Sequence, residues 1–214
     1  MCMFANRTEA GRRLAEELQY LNETKLVLAI PRGGVVVGNE IAKKINCSLD
    51  VIVSKKLTPP DHPEFAIGAI MHDGTVYFNT NWQEYLQKNQ LEDEIRKKKE
   101  EVVRRLEKFR GNSKYELRNK TVILVDDGIA TGATVFVILN WLSKQKPKKI
   151  IVAVPVMPPQ AFQYIGTEFV MNKIVEKIIV LDIPPNFSAV GQFYKEFDQV
   201  SDEEVVSILE KYKN

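Results

Sequence analysis

The sequence predicts an α/β protein: a central parallel sheet with helices on both faces and a small covering portion. Three observations carry this expectation. Short apolar runs of strand length alternate with longer stretches of helical periodicity, the pattern of βαβ units. One run, Val122-Ile123-Leu124-Val125, is apolar at every position, as suits a strand buried on both faces of a parallel sheet. That run and the one before Pro31 both end in small-residue turns that open into apolar helical stretches.

The 214 residues suit one α/β domain, read here as a single domain over 1–214 with cover elements at about 65–118 and 183–200. The chain is 44% apolar and 27% charged, ordinary for a soluble globular protein. A formal charge of +2 gives no reason to expect nucleic acid or membrane as a partner. The basic runs at 97–99 and 146–149 read as solvated faces. Cys2 and Cys47 make neither a metal spacing nor a disulfide framework, which points to a reducing, cytoplasmic setting. No apolar stretch is long enough to span a bilayer, and the first residues lack a signal peptide's apolar core. Oligomeric state is left open, a homo-oligomer included.

The first element is an amphipathic helix over 7–20, with Ala10, Leu14, Ala15, Leu18 and Leu21 near one face. A strand over 26–31 follows, then Arg32-Gly33-Gly34, a helix over 35–45 and a second strand over 49–53 that ends in Ser54-Lys55-Lys56. These form one right-handed β-turn-α-β unit. The stretch 57–64 holds Pro59, Pro60 and Pro63 and reads as a loop. Residues 65–71 and 75–79 flank His72-Asp73-Gly74 as a hairpin. A long, charged surface helix over 91–109 carries Leu91, Ile95, Val102, Leu106 and Phe109 as its apolar stripe. After a linker over 111–119 come the strand 122–125, a helix over 135–142, a strand over 149–154 closed by Pro155, a helix over 161–170 and a last strand over 177–182. From Ile183 the chain is an aromatic-rich loop, until Ser201-Asp202-Glu203-Glu204 caps a closing helix over 205–212. The strands 26–30, 51–53, 122–125 and 150–154 are expected to be parallel neighbours in one sheet.

The chemistry gathers at strand ends, where open α/β sheets bind ligands. The turns after Ile30, Val53 and Val125 are expected to meet there. Asp126 and Asp127 end the central strand, and Gly128, Ile129, Ala130, Thr131, Gly132, Ala133 and Thr134 lead into the next helix. Backbone N–H groups at such a turn wrap a phosphate, and the helix dipole favours its charge. Two carboxylates beside it repel phosphate alone but suit hydroxyls, a metal ion, or both. A ribose 5-phosphate meets that description.

The thirteen residues V-I-L-V-D-D-G-I-A-T-G-A-T resemble the 5-phosphoribosyl 1-pyrophosphate (PRPP) signature of type I phosphoribosyltransferases. A-G-R-R-L-A, A-I-P-R-G-G-V, L-D-V-I-V-S-K-K-L, P-E-F-A-I-G-A-I, V-A-V-P-V-M-P-P and V-S-D-E-E-V extend the likeness over nearly the whole chain. Together they are similar to a group of stand-alone phosphoribosyltransferases whose acceptor is unsettled. The resemblance implies a type I phosphoribosyltransferase fold with a small hood, and Mg²⁺-dependent transfer of 5-phosphoribosyl from PRPP to a nitrogen acceptor. Ala130, Thr131, Gly132, Ala133 and Thr134 would hold the 5-phosphate, and Asp126 and Asp127 the ribose hydroxyls and Mg²⁺. Arg32, Gly33 and Gly34 would hold the pyrophosphate, with Lys55 or Lys56, of which strand alternation lets only one face the site. The loop 57–64 stands where many relatives carry a mobile catalytic loop, so Asp61, His62 or Glu64 could serve as acid or base, with Glu64 the candidate catalytic residue; an ordinary surface loop is the alternative. Phe187 or Tyr194 could stack on a planar acceptor, or these rings could pack the closing helix onto the core. Ala130 stands where 6-oxopurine enzymes carry a further aspartate, which disfavours a hypoxanthine or guanine acceptor. A PRPP- or nucleotide-binding regulator without turnover is the competing class; no helix-turn-helix or basic arm marks it as DNA-binding.

Overall fold

The computed structural model describes residues 3–21, 25–62 and 65–213. In chain order its elements are α1 (Arg7–Glu16), β1 (Lys25–Ala29), α2 (Gly33–Lys44), β2 (Ser48–Val51), β3 (Ser54–Leu57), β4 (Gly68–Met71) and β5 (Val76–Phe78). They continue as α3 (Lys88–Arg110), β6 (Thr121–Val125), α4 (Ala133–Lys144), β7 (Lys149–Val156), α5 (Pro159–Ile165), β8 (Lys177–Asp182) and α6 (Asp202–Glu210). They fall into two compact units: Met1–Ile52 with Glu116–Thr131 and Lys146–Asn214, and Val53–Tyr115 with Gly132–Gln145. Among the described residues no helix is long and apolar enough to cross a membrane.

The first unit is built on a five-stranded sheet of order β2-β1-β6-β7-β8, parallel throughout. All five residues of β6 are buried, which explains its lack of apolar/polar alternation: helices leave no wet face. The strands expected over 26–30, 122–125 and 150–154 are paired in parallel, and β2 lies beside them, but of the expected 51–53 only Val51 belongs to it. β7 does not close at Pro155; it runs on, and Val156 still sits opposite Asp182 of β8. α1 is shorter than its periodicity implied, ending at Glu16, and Tyr20 is exposed. Its N-cap is Asn6, whose side chain accepts from the Glu9 N–H at 3.0 Å. Ser201 caps α6 in the same way, accepting from the Glu204 N–H at 3.0 Å.

One expected strand breaks in two. The ladder of β2 on β1 stops at Val51, and its last tie is the Ile52 N–H donating to the Ala29 carbonyl at 3.0 Å. β1, which is paired with β6 along its whole length, itself ends at Ala29, and the Ile30 N–H continues only the β6 ladder, bonding the Val125 carbonyl at 2.8 Å, so β2 has no further partner. Ser54, Lys55 and Lys56 therefore do not end the second strand of the parallel sheet. They begin β3, in the three-stranded antiparallel sheet β3-β4-β5 of the second unit. Its β4–β5 hairpin turns at His72-Asp73-Gly74 as expected, with Gly74 at φ 95° and the Thr75 N–H donating to Asp73 at 2.8 Å. α3 packs its stripe of Leu91, Val102, Leu106 and Phe109 inward.

Candidate active site

β6 carries the chain to Asp126 and Asp127 at its carboxyl end. The two acids are tied to each other: the Asp127 N–H donates to Asp126 Oδ1 at 2.8 Å. β1 runs beside β6 and delivers Arg32, Gly33 and Gly34 to the same edge. There the turn and the acids touch. A Cβ on Gly34 would lie 2.9 Å from the Asp126 Cα and 3.0 Å from the Val125 carbonyl. A Cβ on Gly33 would overlap the Asp127 carboxylate and lie 2.6 Å from Arg7 Nε. Both glycines are needed for close approach. They also open α2, so their N–H groups belong to a helix's first turn, where donors lack helical partners.

Arg7, at the start of α1, was legible only as a helix residue. Its Nε lies 2.7 Å from Asp127 Oδ2, its Nη1 donates to the Asp198 carbonyl at 2.8 Å, and its guanidinium sits 3.8 Å from the centre of the Phe197 ring. A cation in a helix's first turn opposes the dipole, which was the available signal that a carboxylate elsewhere receives it. Tyr194 holds the other end of the same residue, its hydroxyl donating to the Asp127 carbonyl at 2.6 Å. Burial, then the Asp127 charge, push the Asp126 carboxyl well above its usual range, against the Asp127 N–H and Arg7. Burial, then Asp127, likewise push the Tyr194 phenol up, so it stays a donor.

The remaining expected site residues are placed as follows. Ala130 and Thr131 are exposed, Gly132 is left-handed at φ 82°, and α4 begins at Ala133, with Thr134 in its first turn. A Cβ on Gly132 would strike the Phe136 ring. Arg32 reaches Asp202, at 3.6 Å, at the start of α6. In the second unit Lys55 is paired with Glu101 at 3.3 Å, while Lys56 is exposed. Glu64 lies outside the described residues; Asp61 and His62 are exposed. Phe187 packs on Phe193 at 5.1 Å between ring centres, and Tyr194 on Phe4 at 5.3 Å, in a cluster with Ala10 and Val156. Tyr194 thus reaches Asp127 with its hydroxyl while its ring is core. No group of three or more His, Cys, Asp or Glu among the described residues forms a metal cage.

The turns that join two acids to a glycine loop lie at the switch point of a parallel sheet, the place where open α/β sheets bind their ligands. The family described as "Phosphoribosyl transferase domain" matches residues 5–180, and the chain belongs to it. "Putative phosphoribosyl transferase Rv0571c" of Mycobacterium tuberculosis (strain ATCC 25618 / H37Rv) is 37% identical over 216 residues, covering 99% of this chain and 47% of that protein. The chain therefore spans about half the length of the curated relatives it matches. The crystal structure of TT1426 from Thermus thermophilus superposes with a TM-score of 0.81 at 35% identity, covering all of both chains. The AQ2163 protein of Aquifex aeolicus shares the fold at a TM-score of 0.51 and 18% identity, over 83% of this chain and 73% of that one. The type I phosphoribosyltransferase fold expected from the sequence is the fold observed.

Proposed function

We propose that the protein transfers the 5-phosphoribosyl group of PRPP to a nitrogen acceptor, with Mg²⁺, and releases pyrophosphate. The observation that supports this most is the packing of Gly33 and Gly34 directly against Asp127 and Asp126. It sets helix-start N–H groups, suited to pyrophosphate, beside carboxylates suited to ribose hydroxyls. The turn at 130–134 would take the 5-phosphate on backbone N–H groups and the Thr131 and Thr134 hydroxyls.

The donor set fits Mg²⁺ in one respect: two hard carboxylates and no protein-only cage among the described residues suit an ion that keeps substrate oxygens and water in its shell. When bound there, Mg²⁺ would offset charge on the pyrophosphate. In the reaction the C1–O bond breaks with its electron pair on pyrophosphate, and the acceptor nitrogen's lone pair forms the C1–N bond. A proton then leaves the acceptor for water or a base. The protein's part is to hold the ribose at Asp126 and Asp127, and the leaving group at Arg32, Gly33 and Gly34, in place as charge develops. Ala130 in place of an acid supports an acceptor other than a 6-oxopurine.

The test is a panel of nucleobases and small amines incubated with PRPP and Mg²⁺, read by pyrophosphate release and by calorimetry of PRPP binding. Release that needs an acceptor is expected. PRPP binding without release across the panel would favour the regulatory alternative, and absence of PRPP binding would refute the reading.

A further inference from the structure

Asp127 is gripped at both ends by residues from outside its own turn. Arg7 takes one carboxylate oxygen, Oδ2, and the Tyr194 hydroxyl takes its carbonyl. The pairing of two distant segments brings both residues there. Met3 and Phe4 donate from their N–H groups to the Phe193 carbonyl, at 2.9 Å each. Lys195 and Glu196 donate to the carbonyls of Phe4 and Ala5, also at 2.9 Å each. Phe4 and Tyr194 sit opposite each other in this short parallel bridge. One side of it leads through Asn6 into Arg7 at the head of α1; the other carries Tyr194, and then Phe197 and Asp198, which hold the guanidinium.

The pair is built in. The Arg7 and Asp127 side chains are only 11% and 16% exposed. An ion pair so far out of water contributes little stability, because desolvation offsets its attraction. The chain nonetheless leaves position 33 without a side chain, where a Cβ would overlap the pair. Oδ2 of Asp127 takes Arg7, Oδ1 of Asp126 takes the Asp127 N–H, and the two carboxyls also interact with each other.

We propose that Arg7 and Tyr194, joined through the pairing of residues 3–5 with 193–196, are positioning residues that clamp Asp127 in one orientation at the ligand site. This rests on the reading that Asp127 meets the ribose and Mg²⁺ of PRPP. Neither residue needs to touch the reacting atoms. A partner that orients a ligating carboxylate typically accounts for about 10–100-fold in affinity or activity.

The test is calorimetry of Mg²⁺-PRPP binding to the wild type, Arg7→Gln, Arg7→Lys, Tyr194→Phe, Asp127→Asn and the double variant Arg7→Gln/Asp127→Asn, with ligand-free crystal structures of the wild type and Arg7→Gln. Arg7→Gln should weaken binding about 10–100-fold. Arg7→Lys should recover part of it, keeping the charge without the planar fork. The double variant should be no weaker than Asp127→Asn alone, because both changes act through one carboxylate. The Asp127 carboxylate should be turned from its wild-type position in Arg7→Gln. Wild-type affinity in Arg7→Gln, or full additivity in the double variant, overturns the proposal. Should Arg7→Gln fail to fold, Tyr194→Phe decides: it keeps the ring, and unchanged affinity overturns the clamp. If the wild type itself does not bind Mg²⁺-PRPP, the functional reading falls, and the ligand-free structures decide this one: an unmoved Asp127 carboxylate overturns it.

Discussion

Asp126 and Gly33 show how the site constrains single residues. The Asp126 carboxyl is raised by burial and by Asp127, so it binds its proton more tightly folded than unfolded. The sign follows: its contribution to stability is most favourable at acid pH, and is lost as pH rises from the ordinary 3.8 through the raised value. Asp126→Asn keeps an oxygen for the Asp127 N–H and removes the repelling charge. It should raise the melting temperature of the ligand-free protein at neutral pH, each kcal/mol gained appearing as about 2–4 °C at this size. The difference should close below pH of about 4, where both forms are neutral; a melting temperature at or below wild type at neutral pH would contradict it. The same change should abolish Mg²⁺-dependent PRPP binding, the trade of stability for function found at many sites. Gly33→Ala makes the converse case. Its Cβ has no room beside Asp127 and Arg7, so a loss of about 1–3 kcal/mol in chemical denaturation is expected, together with weaker PRPP binding. These demands were only partly legible. R-G-G and D-D were readable as a loop and an acid edge, but that they touch follows from the β1–β6 pairing, which no local pattern encodes.

The elements were read well wherever one period governs. β6, β8 and the hairpin fell where apolar runs and Asp-Gly placed them, and α6 began at its Ser201 cap. Errors arose where tertiary partners decide. The apolar run 49–53 is continuous, yet Ile52 and Val53 lie outside β2, because β1, its partner, ends at Ala29 opposite Val51. Helix starts carry two predictions. Asn6→Ala removes the cap of α1 and should cost about 0.5–2 kcal/mol in urea unfolding; a change within error would mean that the tertiary contacts of Arg7 hold the helix start alone. At α4, the turn at 130–134 is proposed to bind the 5-phosphate through backbone N–H groups and two hydroxyls. The double change Thr131→Ala and Thr134→Ala should weaken PRPP binding by about 1–3 kcal/mol, since each lost bond is to a charged group. Calorimetry giving the wild-type affinity would remove the threonines from that role.

At the scale of the whole chain, the parallel sheet was foreseeable and the joining of residues 3–5 to 193–196 was not. The stretch from Ile183 carries aromatic residues without periodicity, and it makes one isolated bridge rather than a strand; a single bridge leaves no repeat to read. Phe4 anchors that join. It is fully buried, its ring is 5.3 Å from that of Tyr194, and the Arg13 guanidinium lies 5.0 Å from its centre. Ala10, Val156 and Phe193 complete the cluster, so α1, β7 and the late aromatic stretch all depend on one side chain near the start of the chain. Removing a buried phenyl ring costs its transfer energy and the cavity left behind, about 3–5 kcal/mol for Phe→Ala. Phe4→Ala should therefore lower the urea midpoint steeply with an unchanged m-value, the sign of lost stability rather than an altered unfolded state. Because Arg7 follows three residues later and Tyr194 loses its ring partner, PRPP binding measured well below the new midpoint should weaken as well. A destabilisation under about 1 kcal/mol would mean that the cluster collapses around the gap, as sites able to relax do, and that the join does not depend on Phe4.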